Sequence, residues 1–210
     1  GMNRTYWLLT RDGIRIPAQP KPKQDIMPTD GMYVVPGTYT ARVIYGPYRD
    51  STSIVVKPDP RVQVDAAGLA QWEAATWETQ NLVNSLTAGM DKLRDAQARL
   101  GVVDPLVMDQ VKDTAALRRY NDKKAVVRKT IDSLQRKMMP GEEVQGIYED
   151  PAQLMVQLQS QMFYLDPAFG TPNPPTGAPP STYGLYMKKF KSAADEFSRS
   201  VEAFERGPWK

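Results

Sequence analysis

The chain has 210 residues, 41% of them hydrophobic and 24% charged, with a formal net charge of +3, so a packed core is expected in one large domain or two small ones. There is no cysteine and no histidine, which sets aside disulfides, thiolate nucleophiles, imidazole bases and His or Cys metal ligands. The charge is too small to imply nucleic acid, no apolar run approaches the roughly 20 residues of a membrane span, and the opening GMNRTYWLL does not read as a secretory leader. Carboxylate-only catalysis and oxygen-ligated Ca²⁺ or Mg²⁺ survive this filter, but no Asp-rich loop has ligand spacing, so no cofactor and no metal is expected.

Residues 1–61 read as β structure. RTYWLL (4–9) is a strand candidate, Asp12-Gly13 a turn signal and IRI (14–16) a short second strand. The proline-rich stretch 17–31 is loop. PGTYTARVIYG (36–46) is strand-forming, with Tyr39, Ala41, Val43 and Tyr45 on one face and Thr38, Thr40, Arg42 and Ile44 on the other. STSIVVK (51–57) returns after a turn, which makes an antiparallel hairpin. Four strands are few for a sandwich, which usually has about seven, and a lone hairpin is marginal in water. The β part therefore reads as incomplete. KPDPR (57–61) closes it with two prolines.

From there the period changes from 2 to about 3.5. Leu69, Trp72, Thr76, Thr79, Val83, Leu86, Met90, Leu93, Gln97 and Leu100 step by three and four, which predicts a first helix over about 65–100 with a coiled-coil seam. GVVDP (101–105) reads as a break, with Gly101 as the stop, Asp104 as N-cap and Pro105 at the first position of a second helix over about 105–139. Val111, Leu117, Val127, Ile131, Leu134 and Met138 form its apolar side. A third helix is expected over about 151–165, with Leu154, Met155, Leu158, Met162 and Leu165. The proline-rich stretch 166–180 reads as a connector. A fourth helix over about 182–206, capped by Ser181, carries Tyr186, Phe190, Ala193, Phe197, Val201 and Phe204.

NRTYWLLTRDGIRIP (3–17), VPGTYTARV (35–43) and VVKPDPR (55–61), followed by a long helical hairpin, stand in an order that resembles the C-terminal region of bacterial sortilin-like propeller proteins with BNR (Asp-box) repeats. Many of that family are labelled glycosyl hydrolases. The resemblance implies a fibronectin type III or immunoglobulin-like sandwich, with further strands before Asn3, an upstream propeller domain in the same polypeptide, and a periplasmic or secreted location. The sequence departs from the family in one decisive respect: it has no Ser-x-Asp-x-Gly-x-Thr-Trp box, so no propeller site and no catalytic residue carries over.

Several stretches invite sharper readings. Glu142-Glu143 and Glu149-Asp150 are carboxylate pairs, but adjacent loop residues are poor at holding glycosidase geometry, and they read as solvated charge. RRYNDKK (118–124) with Arg128, Lys129, Arg136 and Lys137 is basic, yet Asp132 stands four residues from both Arg128 and Arg136, which favours intrahelical pairs on a solvated face over nucleic-acid binding. Aromatic residues are the candidates for contact with a ligand or partner: Trp7, Tyr33, Tyr48 and Trp77.

The expected fold class is thus α+β and mainly helical, with a small, truncated fibronectin/Ig-like β-sandwich (1–61) followed by a helical hairpin or four-helix bundle (62–210). The expected function is a non-catalytic C-terminal accessory or interaction region of a larger exported propeller protein. Its partners would be that propeller and a protein or glycan, without nucleic acid or membrane span, and the β edge could mediate self-association. Alternatives are a carbohydrate-binding module associated with a glycosidase and a stand-alone helical scaffold.

Overall fold

A computed structural model describes residues 4–12, 15–18, 30–61, 63–138 and 181–207. The helix expected over 151–165, the carboxylate pairs at 142–150 and the proline-rich stretch 166–180 lie outside them. The described part is mainly helical, with a small antiparallel β portion.

Two strand pairs form. β1 (Thr10–Asp12) pairs antiparallel with β2 (Asp30–Tyr33), and β3 (Gly37–Tyr45) with β4 (Tyr48–Val56). The first pair sits later in the chain than RTYWLL suggested. Leu9 takes a left-handed backbone (φ 61°) that no strand tolerates, and the Trp7 indole N–H donates to the Thr10 carbonyl at 2.7 Å, folding 4–9 into an irregular approach. Arg15 and Ile16, expected in a strand, instead run against the helices. The β3–β4 turn places Gly46 (φ 57°) and Pro47 between Tyr45 and Tyr48, a two-residue connection with glycine where a primed turn requires it. The face carrying Tyr39, Ala41, Val43 and Tyr45 is covered only at its base. Tyr39 and Ala41 are half-buried, whereas Val43 is 66% and Tyr45 80% exposed.

α1 (Ala66–Gln110) is one continuous helix, opened by the Asp65 carboxylate, which accepts from the Ala67 N–H at 3.0 Å. Its seam is buried as the spacing required, except at Gln97, which is exposed. The two seam threonines are satisfied within the helix: Thr76 Oγ1 donates to the Trp72 carbonyl and Thr79 Oγ1 to that of Ala75, each at 2.9 Å.

The break expected at 101–105 does not occur. Pro105 lies inside α1 and forgoes only the bond to the Gly101 carbonyl. Asp104 is no cap; it faces α2 (Thr114–Met138) and accepts from Lys124 Nζ at 2.6 Å and from the Tyr120 hydroxyl and Arg128 at 3.3 Å each. Those cross-helix bonds hold the last turns of α1 helical. The real connection is 111–113, where the Asp113 carboxylate accepts from the Ala115 N–H at 2.9 Å and so caps α2. Val111, expected on the second helix, therefore belongs to the connection.

α3 (Ser181–Arg206) runs parallel to α1 and in register with it. Glu78 pairs with Lys191, Ser85 faces Ser198 and Lys92 pairs with Glu205, each step being one heptad on both helices. α2 runs antiparallel to α1, and its Lys137 reaches Glu196 of α3 at 3.0 Å. One apolar core joins the three helices, built on Val83, Leu86, Met90, Leu93, Ile131, Met138, Phe190 and Phe197. Ile16 and Val35 pack on it from the β side.

Candidate functional site

Beside its apolar seam α1 carries a second stripe with the same three-and-four spacing: Glu73, Trp77, Gln80, then Thr87, Asp91 and Arg94. Arg11 and the stretch 15–17 lie against this stripe. The Arg11 guanidinium pairs with Glu73 and lies 4.2 Å from the centre of the Trp77 ring. Arg15 clasps Asp91 through both carboxylate oxygens, and the Arg15 carbonyl accepts from Thr87 Oγ1 at 2.8 Å. Arg94 bridges Asp91 and the Pro17 carbonyl. The Asp91 bond holds Arg15 above its already high ordinary pKa.

The β hairpin joins this stripe at its upper end. Trp7 meets Tyr39 edge-to-face, with ring centroids 5.3 Å apart, and the Tyr39 hydroxyl donates to the Val35 carbonyl at 2.6 Å. Burial raises the Tyr39 pKa, the Glu73 carboxylate raises it further, and the Arg11 cation opposes both. Trp7, Tyr39, Glu73, Arg11 and Trp77 thus form one contiguous cluster. Two buried donors, Arg11 Nε and Gln80 Nε2, have no hydrogen-bond partner.

Of the four aromatic candidates, the structure links Trp7 and Trp77 through Tyr39 and Arg11, and Tyr33 stands opposite Thr10 in the β1–β2 pair. Tyr48 stands apart, 74% exposed at the hairpin turn. Trp7 spends its N–H on Thr10 and one ring side on Tyr39, so its first role is in the junction. No comparison finds a relative: neither protein-family models, nor curated proteins, nor solved structures give a match.

Part of the basic stretch of α2 is likewise occupied within the chain. Tyr120, Lys124 and Arg128 converge on Asp104, whose pKa falls chiefly through the Lys124 hydrogen bond. The intrahelical pairs expected from Asp132 do not form among the described residues, because Arg128 reaches across to Asp104 instead. Neither cleft of note gathers a catalytic set. One of about 430 Å³, between α1 and α3, is lined by Lys92, Asp95, Ala96, Arg99, Phe204 and Glu205. The other, of about 330 Å³ between α1 and α2, is lined by Gln97, Leu100, Gly101, Arg128, Ile131 and Asp132. Among the described residues no three acidic side chains are grouped to hold a metal, and no helix is long and apolar enough to cross a membrane.

The junction ion pairs escaped the sequence reading. Arg11 stands just before the expected turn and Arg15 in a stretch that reads as strand, with partners 62 and 76 residues away. The polar stripe on α1 was the available signal: Glu73, Gln80, Thr87, Asp91 and Arg94 keep heptad spacing, which a merely solvated face has no reason to do.

Proposed function

We propose that this chain is a non-catalytic accessory and interaction region of a larger exported protein, its β part belonging to a fibronectin- or immunoglobulin-like sandwich, its helices to a bundle, and a propeller domain preceding both. The observation that supports this reading is the β3–β4 hairpin. Its outer edges are unpaired among the described residues, and Val43 and Tyr45 expose the apolar face that Tyr39 and Ala41 bury. A two-stranded sheet with a half-covered apolar face gains stability from a further strand or a second sheet. The resemblance in 3–61 is to a region in which such a sandwich follows a propeller.

Hydrogen exchange of the β3–β4 amides tests this. The natural polypeptide is first sized by immunoblot in the cells that make it, then its exchange is compared with that of the 210-residue chain. A band far above 23.6 kDa and strong added protection at 38–55 are expected. A protein translated from Met2, or equal exchange in both forms, would refute the reading.

A second reading has one specific observation in its favour. Tyr45 and Tyr48 are cross-strand partners on the hairpin and both are largely exposed, which is the kind of aromatic pair a glycan stacks on. Saturable glycan binding that is lost in Tyr48→Ala would carry it.

A further inference from the structure

The register of α1 with α3 leaves a gap. α3 ends at Arg206, one residue beyond the Glu205 that pairs with Lys92, whereas α1 continues to Gln110, about 27 Å further. Beyond Leu100 on α1 and before Val127 on α2, no described apolar residue is buried. Among the described residues the α1–α2 hairpin thus projects as two helices where the packing below it has three.

The exposed side of that projection is not polar. Val103 lies one heptad past Ala96 and two past Gly89, the residue that touches Phe197 and Val201 of α3, yet it is 44% exposed. Leu106, two heptads past Lys92, is 53% exposed. On α2, Val126 stands about three turns from Lys137, on the flank that meets α3, and is 60% exposed. Three aliphatic side chains therefore occupy the places where a third helix would pack.

The flanks decide which helix fits. Where α3 is present, it sets Glu205 against Lys92 and Glu196 against Lys137. Past its end the same flanks carry Arg99, one heptad after Lys92, and Lys123 and Arg119, about four and five turns before Lys137. None of these three cations has an ion-pair partner among the described residues. A second copy of this chain docked on the same surface would set like charges against each other.

We infer that the end of the α1–α2 hairpin is a docking site for one amphipathic helix of a partner protein, with an aliphatic stripe flanked by glutamate or aspartate, taking the place that α3 vacates. This inference concerns the helical end and stands or falls apart from the sandwich reading of the β part.

The test uses the full chain and two fluorescein-labelled synthetic helical peptides. Both have leucine at the a and d positions; one has glutamate at e and g, the other lysine. Fluorescence anisotropy should show saturable binding of the glutamate peptide, about tenfold or more tighter than that of its lysine counterpart. Leu106→Asp and Lys123→Glu, both at exposed positions and checked by circular dichroism, should each weaken it about tenfold. Equal binding of the two peptides, binding unaffected by both substitutions, or no binding would overturn the proposal. So would a dimer in sedimentation that Leu106→Asp abolishes, which would give the surface to a second copy.

Discussion

Gly89 of α1 lies directly against Phe197 of α3, and replacing it by alanine sets two known effects against each other. A Cβ at 89 would lie 2.9 Å from Cε1 of Phe197 and 3.7 Å from Cγ2 of Val201. Phe197 is fully buried. Glycine inside a helix costs about 1 kcal/mol relative to alanine, whereas forcing an extra methyl into a packed core costs about 1–3 kcal/mol. Gly89→Ala should therefore lose about 1 kcal/mol. Gly101 is the internal control: it lies in the same helix, but its Cβ would meet nothing within 4 Å, so Gly101→Ala should gain about 0.5–1 kcal/mol. Urea unfolding followed by far-UV circular dichroism should separate the two variants by about 2 kcal/mol, a factor of about 30 in the folding equilibrium. Adding Phe197→Leu to Gly89→Ala should cost less than the sum of the two single changes. Gly89→Ala as stable as Gly101→Ala, or strict additivity with Phe197→Leu, would refute the close packing of α1 on α3.

Asp104 has a lowered pKa, so its contribution is complete above the ordinary carboxylate range near ~4 and is lost as pH falls through its own lower value. Asp104→Asn should be less stable than the parent at neutral pH, with the gap between their urea midpoints closing on acidification; a gap independent of pH would contradict the Tyr120–Lys124–Arg128 grouping. Asp91→Ala strips Arg15 and Arg94 of a shared carboxylate and should cost about 2 kcal/mol, moderated by the partial exposure of both arginines; rapid proteolysis after Arg11 or Arg15 in that variant would be the accompanying sign. Gln80→Met removes a buried amide donor that has no partner and should leave the unfolding midpoint unchanged or raised. A clear loss there would mean that the amide is bonded after all.

The helical core was legible because a heptad is a long, redundant signal: three of ten seam positions on α1 are polar without hiding the period, and Thr76 and Thr79 keep to it by bonding back to their own helix. The end of α1 was not legible. Gly101, Asp104 and Pro105 make a persuasive local stop, but the outcome was set by Tyr120, Lys124 and Arg128, which lie 16, 20 and 24 residues from Asp104. The β strands followed the same division. β3 and β4 alternate clearly and pair as expected, while the ends of β1 depended on a left-handed Leu9 that no pattern announces. Of the candidate contact residues, Trp7 and Trp77 meet the Tyr39–Arg11–Glu73 junction, a placement that aromatic type alone could not tell from that of the exposed Tyr48.

Arg11 and Arg15 fasten the β part to α1 at two levels, Glu73 and Asp91, so the strand pairs cannot pivot on the helix about a single point. From Glu73 to the far end of α1 at Gln110 is about 55 Å of unbroken helix. If the two proposed contacts form, at the β hairpin and at the helical tip, α1 would act as a strut that sets the distance and the bearing between them. Losing either arginine clamp would leave both proposed surfaces in place while letting the angle between them wander.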